Sequence, residues 1–517
     1  AGNIILDAAD SITTPTAGTS NVRLGDHAGN SIQSGGDYNI LLGDEAGTSI
    51  TTGDSNIAIG HGAGDALTTG TNNVAVGHLA LSTEDAHGYN VAVGHQALLN
   101  LNAGQNAYET AVGYLAGTAL TTGTYNTLIG AQAGMALTEG NNNVGVGLNA
   151  LAQDTKGSKN VALGYQALYT QNFTSATDSY NTVVGYKAAE ASTTATQNTI
   201  VGAFAGDALT TGGGNTLIGY EAATVSQDGA QTAIGYRAAY SATSGVRNVA
   251  VGDQSLRGLT TANDCIGIGT QSFYATCTGS ANIGLGYRSF FSCTSGHSNV
   301  GVGYQTLNDL STADESVAVG YRALPHVSSG DSNIGIGIQT GDGDRGTALT
   351  TGTSNILIGR QTDTNAADTS YSIVIGVHAV GKGDSTGFIS PNDGAVYQGN
   401  NSSSWSTTSD RRIKKNIVDN TVGLDAINKV QVKNFEYRKE DEITELPTHA
   451  AINKEGVQLG VIAQELQTVL PDMVNEETTG CLSVNPDNMT WYLVNAVKEL
   501  SAKNDALEAR LKKLEEK

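Results

Sequence analysis

The 517 residues include 66 glycines, but only 6% are aromatic and 15% are charged, well below the quarter expected of an average globular domain. This composition argues against a single large packed core. The formal net charge of −22 argues against nucleic acid or an anionic membrane as partner, and no run of eighteen apolar residues or signal-peptide pattern predicts membrane insertion.

Residues 1–20 precede the first full repeat, and we assign them to the end of a preceding shaft segment. Residues 21–380 then repeat one motif in 21 copies, as in Asn73-Val-Ala-Val-Gly77 and Asn160-Val-Ala-Leu-Gly164. Fifteen of the twenty spacings between successive motif glycines are 17 residues. A period this regular indicates a repeat architecture.

Each motif predicts a short strand. Apolar residues alternate, as at Val74 and Val76, and this pattern predicts one buried face, with Ala or Gly commonly between the two. The rest of each unit is rich in turn formers, as in Leu67-Thr-Thr-Gly-Thr-Asn72, so the chain can bend back and start another coil. The sequence therefore predicts stacked coils, which at about 4.8 Å per strand make a rod on the order of 100 Å long.

Two columns of the repeat predict close packing. The third residue after the motif glycine is small, as at Ala28, Ala46 and Ser272, and we expect it to suit contact between chains. The first motif position is Asn in 16 of 21 copies, and stacked coils would align these amides in a hydrogen-bonded ladder. The exceptions are Glu109, Gln231, Cys265, Ser316 and Ser372.

The Asn-x-x-[Val/Ile/Leu]-Gly columns resemble the head repeats of trimeric autotransporter adhesins over about residues 21–380. That resemblance implies a trimeric β-roll, although those heads use a shorter period. Because thin coils bury little surface alone, we expect oligomerisation to complete the core.

The position after the motif glycine is predicted to face outward. It holds His61, His78 and His95 in successive copies, and then tyrosine in many of the copies that follow. The histidines allow either a metal site or a plain surface column, and the tyrosines either a sugar-binding strip or packing between coils. We favour the surface column and the packing, and predict no metal and no cofactor.

Two further features of the shaft have a structural and a functional interpretation. Gly341-Asp-Gly-Asp-Arg-Gly346 lies where the spacing widens to 22 residues, and it allows a calcium loop or, as we favour, a turn. The four cysteines, Cys265, Cys277, Cys293 and Cys481, show no metal-type spacing, and we predict reduced structural thiols.

The composition changes after about Gly399, and only four glycines occur in the last 117 residues. We assign residues 381–408 to a junction and residues 409–517 to a separate α+β domain. Three blocks there resemble the intramolecular chaperone domain of endosialidase-type phage tail proteins: Ser409-Asp-Arg-Arg-Ile-Lys-Lys-Asn-Ile417, then Gly460-Val-Ile-Ala-Gln-Glu-Leu466 with Leu470-Pro471, then a terminal helix.

This resemblance implies a domain that trimerises, guides the folding of the fibre before it and is released by self-cleavage before a serine. Carried onto the matching positions, Ser409 is the nucleophile, Lys414 the base and Thr408–Ser409 the scissile bond. A lysine can act as the base once burial favours its neutral form. Five residues of separation place the pair about 140° apart on a helix, so their contact needs a turn or a neighbouring chain. The alternative is a capped helix start at Ser409.

The terminal helix is predicted to form a coiled coil over about residues 491–517, because its apolar residues alternate by four and three. Asn504 at a seam position can fix register and strand number. The predicted seam consists of Leu493, Val497, Leu500, Asn504, Leu507, Leu511 and Leu514.

Together these features predict a homotrimeric, mainly β tail fibre of a virion, assembled in the host cytoplasm and joined to other tail proteins. Its shaft would bind a glycan or protein receptor on the host surface, and its only enzymatic activity would be the Ser/Lys self-cleavage. Two alternatives are a glycan-degrading tailspike and a trimeric cell-surface adhesin. The first needs paired carboxylates on long loops, and the second ends in a membrane anchor where this chain has a charged coiled coil.

Overall fold

A computed structural model describes residues 17–225, 229–390, 409–443, 452, 454–476 and 480–516, with the backbone of 396–398 and 405–406. The chain forms two compact units, Ala1–Thr408 and Ser409–Lys517. Residues 1–16, in the predicted preceding segment, and Thr408, at the predicted scissile bond, lie outside the described residues.

The first unit is a long β-solenoid with turns of about 17 residues, as the repeat predicts. Each motif copy forms a short strand that pairs in parallel with the strand of the next copy, so that Val74 lies beside Val91 and Ala75 beside Ala92. The motif strands are Val22–Leu24, Ile40–Leu42, Ile57–Ile59, Val74–Val76, Val91–Val93, Thr110–Val112, Thr127–Ile129, Val144–Val146, Val161–Leu163, Thr182–Val184, Thr199–Val201, Thr216–Ile218, Thr232–Ile234, Val249–Val251, Ile266–Ile268, Ile283–Leu285, Val300–Val302, Val317–Val319, Ile334–Ile336, Ile356–Ile358 and Ile373–Gly376.

The sheet continues past the last motif into the segment assigned to the junction. Gly387–Ser390 adds one more parallel strand, although it lacks the motif, and Val396–Gln398 and Trp405–Ser406 extend the sheet with antiparallel pairing. A separate two-stranded parallel sheet joins Gly157–Ser158, in a coil of ordinary length, to Thr177–Asp178 in the longer coil that follows.

The motif glycine is required by the close approach of neighbouring coils. Gly77 has a φ of 135°, a conformation that L side chains rarely adopt. A Cβ at Gly77 would lie 2.3 Å from the carbonyl oxygen of Gly94, the equivalent glycine of the next coil. No other residue fits between two backbones this close.

The direction of the strand side chains was predicted wrongly. The middle residue points into the coil, where Ala75 and Ala92 are fully buried, whereas Val74 and Val76 are half-buried on the outside. The interior of a single coil is narrow, so a small residue or one leucine fills it and the β-branched pair faces outward. The outer face of the sheet is therefore uncharged, with aliphatic side chains and some threonines.

The small residues after the motif glycine also serve the interior of a coil. Ala28, Ala46 and Ala63 are at most 1% exposed, so they do not offer a surface to another chain. Our expectation that this column suits contact between chains is wrong for the same geometric reason. The hydroxyl of Ser272 in this column donates to the carbonyl oxygen of Gly284, which satisfies a polar group inside the coil.

The asparagine ladder is confirmed. Asn56 Nδ2 donates to Asn39 Oδ1 at 3.1 Å, and Asn56 Oδ1 accepts from Asn73 Nδ2 at 3.2 Å. The same Nδ2 of Asn56 also donates to the carbonyl oxygen of Gly70 at 2.8 Å. The Asn56 amide therefore links its own coil to both neighbours, and the column is buried throughout. Among the described residues, its unpartnered side-chain atoms lie at Asn90, Glu109, Gln231 and Ser372.

The second unit is a small α+β domain. Its helices are α1 (Leu424–Ile427), α2 (Ala463–Gln467) and α3 (Met489–Glu515), with 3₁₀ turns at Arg411–Ile413, Glu440–Glu442, Pro471–Met473 and Pro486–Asn488. Two antiparallel strand pairs join Lys433–Phe435 to Gln458–Gly460 and Val474–Glu476 to Leu482–Val484. Its core contains Leu466, Leu470, Met473, Val474 and Tyr492. None of the helices formed by the described residues is long and apolar enough to cross a bilayer.

Candidate functional site

A capped turn opens the second unit and shapes the predicted dyad. Asp410 lies immediately before the 3₁₀ turn Arg411–Ile413, and its Oδ1 accepts a hydrogen bond from the backbone N–H of Arg412 at 2.8 Å. The backbone N–H of Lys414 closes the turn on the carbonyl oxygen of Arg411 at 3.1 Å. The turn reverses the chain, so that the side chain of Lys414 comes back toward residue 409.

The turn brings the two predicted residues into contact. Lys414 Nζ donates to Ser409 Oγ at 2.6 Å, within a single chain. The sequence left a turn or a neighbouring chain as the means of this contact, and the turn supplies it. The capping residue is Asp410, so the alternative in which Ser409 itself caps the helix does not describe this segment.

Sequence reasoning gave no role to Asp410. The guanidinium of Arg412 lies 2.7 Å from Asp410 Oδ2, and its hydrogen bonds hold the pKa of the Asp410 carboxyl below its usual range. The Asp410 carboxylate therefore stays ionised at neutral pH and continues to cap the turn. An Asp one residue before a short turn is a common capping signal, and it could have been recognised in the sequence.

The predicted dyad is exposed in the single chain, in a segment that carries both charged and aliphatic side chains. Ser409 and Lys414 are both exposed. Ile413, Ile417 and Val418 lie within four residues of Lys414 in the sequence and are 69%, 55% and 86% exposed. Large exposed aliphatic side chains near one another in the chain are typical of a surface that another molecule covers.

The predicted coiled-coil residues lie on α3 and are also exposed. Leu493, Val497 and Leu500 are 45%, 64% and 56% exposed, and the leucines nearer the terminus are comparable. Asn504 donates to Glu508 Oε1 at 3.2 Å. The described part of the chain supplies no partner for this seam.

The N-terminal half of α3 has a different role, because it holds the segment that follows the dyad. Asn495 Nδ2 donates to the carbonyl oxygens of Asn420 and Val422 at 3.0 and 3.1 Å. Glu499 Oε2 accepts from the backbone N–H of Leu424 at 3.0 Å. Residues 420–424, which follow the predicted dyad in the chain, are therefore held by the helix that carries the predicted seam.

The loop weighed as a calcium site is held by protein groups. Asp363 accepts the backbone N–H groups of Gly343, Arg345 and Gly346 at 2.7 to 3.0 Å. Asp342 pairs with Arg322 at 2.9 Å, and burial raises the pKa of its carboxyl. These contacts describe a turn stabilised by a carboxylate.

One possible metal-ligand group was missed by sequence reasoning. Ligand atoms of Glu84, Asp85 and His87 lie within 4.8 Å of one another. Glu84 is fully buried, and its carboxylate accepts from the backbone N–H of His87 at 3.1 Å and from that of Ala103 at 3.4 Å. The corresponding position is Leu67 one coil earlier, so Glu84 replaces an interior leucine and caps a turn.

The outward column after the motif glycine forms ring stacks. Tyr304 stacks on Tyr287 and on Tyr321 with ring centroids 5.1 Å apart in both pairs. The packing between coils that we favoured therefore occurs. The thiols of Cys265, Cys277 and Cys293 are buried and form no disulfide, and the Sγ atoms of Cys277 and Cys293 are 2.6 Å apart inside the solenoid.

Residues 409–475 match the family described as chaperone of endosialidase. The match begins at Ser409, where the second unit also begins. No solved structure matches the chain. A C-terminal chaperone-of-endosialidase domain behind a β-solenoid of about 17-residue turns fits the resemblance to endosialidase-type tail fibres.

Proposed function

We propose that this chain is the distal shaft of a trimeric viral tail fibre, assembled in the host cytoplasm, whose C-terminal domain drives folding and is then removed by self-cleavage. The observation that carries the proposal is the 2.6 Å hydrogen bond between Lys414 Nζ and Ser409 Oγ, at the first residue of the chaperone-family match. On the virion the shaft would join other tail proteins and bind a glycan or protein receptor on the host.

The proposed cleavage uses this pair as base and nucleophile. Lys414, once neutral, takes the proton of Ser409 Oγ, and the oxygen attacks the carbonyl carbon of Thr408. The Thr408–Ser409 peptide bond breaks as its nitrogen takes up a proton, which leaves Thr408 as an ester on Oγ. Water then hydrolyses the ester, so that the net reaction consumes one water and releases residues 409–517.

A neighbouring chain would supply what the isolated site lacks. The neutral amine is favoured when the ammonium loses contact with water, and Lys414 is exposed in one chain. Packing of a second subunit over Ile413, Ile417 and Val418 would bury apolar surface and remove water from the pair. Cleavage would then report correct assembly.

The cleavage proposal is tested by intact-mass analysis of the purified chain and three variants. Wild type should lose a fragment beginning at Ser409, whereas Ser409→Ala and Lys414→Gln should keep the full mass. Lys415→Gln removes the same charge from the next residue and should still be cleaved. Equal masses for wild type and Ser409→Ala would refute the proposed nucleophile.

The trimer proposal rests on two exposed apolar surfaces. In all 21 motif strands the first residue is Val, Ile or Thr and the third is Val, Ile or Leu, so the outer face of the sheet carries no charge. Ile268 and Ile336, for example, are 42% and 41% exposed. Contiguous apolar patches beyond a few hundred Å² mark interaction sites, and a second or third copy offers a face with the same rung spacing.

The seam of α3 allows a matched test of assembly. Leu507→Glu places a charge on the predicted seam, whereas Ala502→Glu places the same charge on the opposite face of the helix. Sedimentation should show a trimer for wild type and for Ala502→Glu, and a shift toward monomer for Leu507→Glu. The self-cleavage of Leu507→Glu should fall in proportion. Efficient cleavage by a stable monomer would contradict the dependence of cleavage on assembly.

A further inference from the structure

Three histidines form a regular row on the outside of the solenoid. His61, His78 and His95 follow the motif glycine in three successive coils. Their ring centroids are 5.4 and 5.0 Å apart, with interplanar angles of 15° and 16°. The backbone fixes this spacing, because Leu79 N–H donates to the carbonyl oxygen of His61 at 3.0 Å and Gln96 N–H to that of His78 at 2.9 Å.

The ring nitrogens of this row are accessible. All three histidines are exposed. The nearest carboxylate is that of Glu45, whose Oε2 lies 3.9 Å from His61 Nε2. Among the described residues, no other carboxylate lies within ion-pair distance of these three rings. Protein groups therefore leave most of the ligand capacity of the imidazoles unused.

The spacing suits an ion shared by two neighbouring rings. Zinc and copper bind imidazole nitrogen at about 2.0–2.1 Å, so two nitrogens on one ion lie roughly 3 to 3.5 Å apart. Rotation about the side-chain bonds of two exposed rings can close that gap from centroids 5.0 or 5.4 Å apart. The outer two rings are too far apart for one ion to hold all three.

We propose that His61, His78 and His95 form a binding site for a divalent transition-metal ion, held by two adjacent imidazoles at a time. Glu45 supplies an oxygen ligand at the His61 end. Imidazole ligands select zinc, copper and nickel over calcium and magnesium. The net charge of −22 attracts cations to this surface, and acid weakens binding because protons compete for the same ring nitrogens.

The middle histidine allows a sharp test, because it belongs to both adjacent pairs. Full-length protein stripped of metal would be titrated with Zn²⁺ at pH 7.5 by calorimetry. His78→Gln leaves two isolated rings, and we expect it to bind on the order of a hundredfold more weakly, because the second ligand no longer acts within one site. His61→Gln and His95→Gln each keep one pair and should stay within about tenfold of wild type.

A spectroscopic readout and a competing site complete the design. Cu²⁺ bound to wild type should show two coordinated nitrogens by electron paramagnetic resonance, and Cu²⁺ bound to His78→Gln should show one. His87→Gln alters the Glu84 group and should change neither measurement. Unchanged Zn²⁺ affinity in His78→Gln overturns the proposal, and so does loss of binding in His87→Gln. Equal melting temperatures without metal confirm that the exposed substitutions leave the fold intact.

Discussion

Glu109 gives the solenoid a pH dependence that one substitution should remove. It takes a ladder position that is Asn in most copies and is fully buried. Its Oε1 accepts from Asn126 N–H at 3.1 Å and from Asn126 Nδ2 at 2.9 Å. Its Oε2 and the Nδ2 of Asn90 in the preceding coil have no partner among the described residues. Burial raises the pKa of the Glu109 carboxyl from 4.5 to about 8.

The size and sign of the effect follow from that pKa. Because the pKa of Glu109 is higher in the folded than in the unfolded chain, its contribution to the unfolding free energy is fully present below pH 4.5 and is lost as the pH rises through about 8. The shift of about 3.5 units corresponds to about 5 kcal/mol of unfolding free energy in total, at about 1.4 kcal/mol per unit. By the same arithmetic, about 4 kcal/mol of this is lost by pH 7.5.

Glu109→Gln keeps the shape of the side chain and cannot ionise. The column already accepts glutamine at Gln231, whose backbone N–H donates to Asn215 Oδ1 at 2.9 Å and whose Nε2 donates to the carbonyl oxygen of Gly245. The variant should therefore be about as stable as wild type at pH 4.5 and more stable by about 4 kcal/mol at pH 7.5. The exposed Glu45→Gln serves as the control and should show no such gain.

Hydrogen exchange is the suitable assay, because solenoids unfold coil by coil and a single melting curve averages over the coils. Protection of the Asn126 amide, which donates to Glu109 Oε1, would be compared between variant and wild type at each pH. A gain in protection that is the same at pH 5 and pH 8 would show that ionisation of Glu109 is not the cause.

Two substitutions inside the coils test the packing and the ladder. Gly284→Ala would place a Cβ 2.6 Å from Phe273, and we expect it to lower the free energy of unfolding by about 1–3 kcal/mol. Gly145→Ala changes the same strand position, but its Cβ would lie 3.3 Å from the nearest atom, so the loss of stability should be smaller. Equal losses by chemical denaturation would refute the packing argument. Asn56→Ala leaves ladder groups on both neighbouring coils unpaired, and we expect it to lower the local unfolding free energy, measured by hydrogen exchange, by about 2–3 kcal/mol. The control Asn102→Ala changes an exposed residue and should lower that free energy hardly at all.

Much of the solenoid could be predicted because its cause is local and repeated. The recurring glycine, the turn formers and the Asn column each meet one structural requirement of a coil. Because the motif occurs 21 times, the pattern can be recognised in the sequence. The sequence did not predict the strand Gly387–Ser390, because that segment lacks the motif. Only its parallel pairing with Ile373–Gly376 shows that it belongs to the sheet. In the second unit, the resemblance selected Ser409 and Lys414, but spacing alone could not say how they meet.

The sequence by itself determined the period, the strand positions and the buried amide ladder, and a family resemblance selected the two residues of the candidate dyad. Only the tertiary structure decided which side of each strand faces inward. Alternation shows that a strand has two faces, but it does not say which is buried when one face carries Ala or Gly and the other carries β-branched residues. The narrow coil admits the small face and leaves Val74 and Val76 outside. Likewise, only the structure shows that Lys414 reaches Ser409, through the turn capped by Asp410. A separation of five residues allows many backbone conformations, and the hydrogen bonds of this turn stabilise one of them.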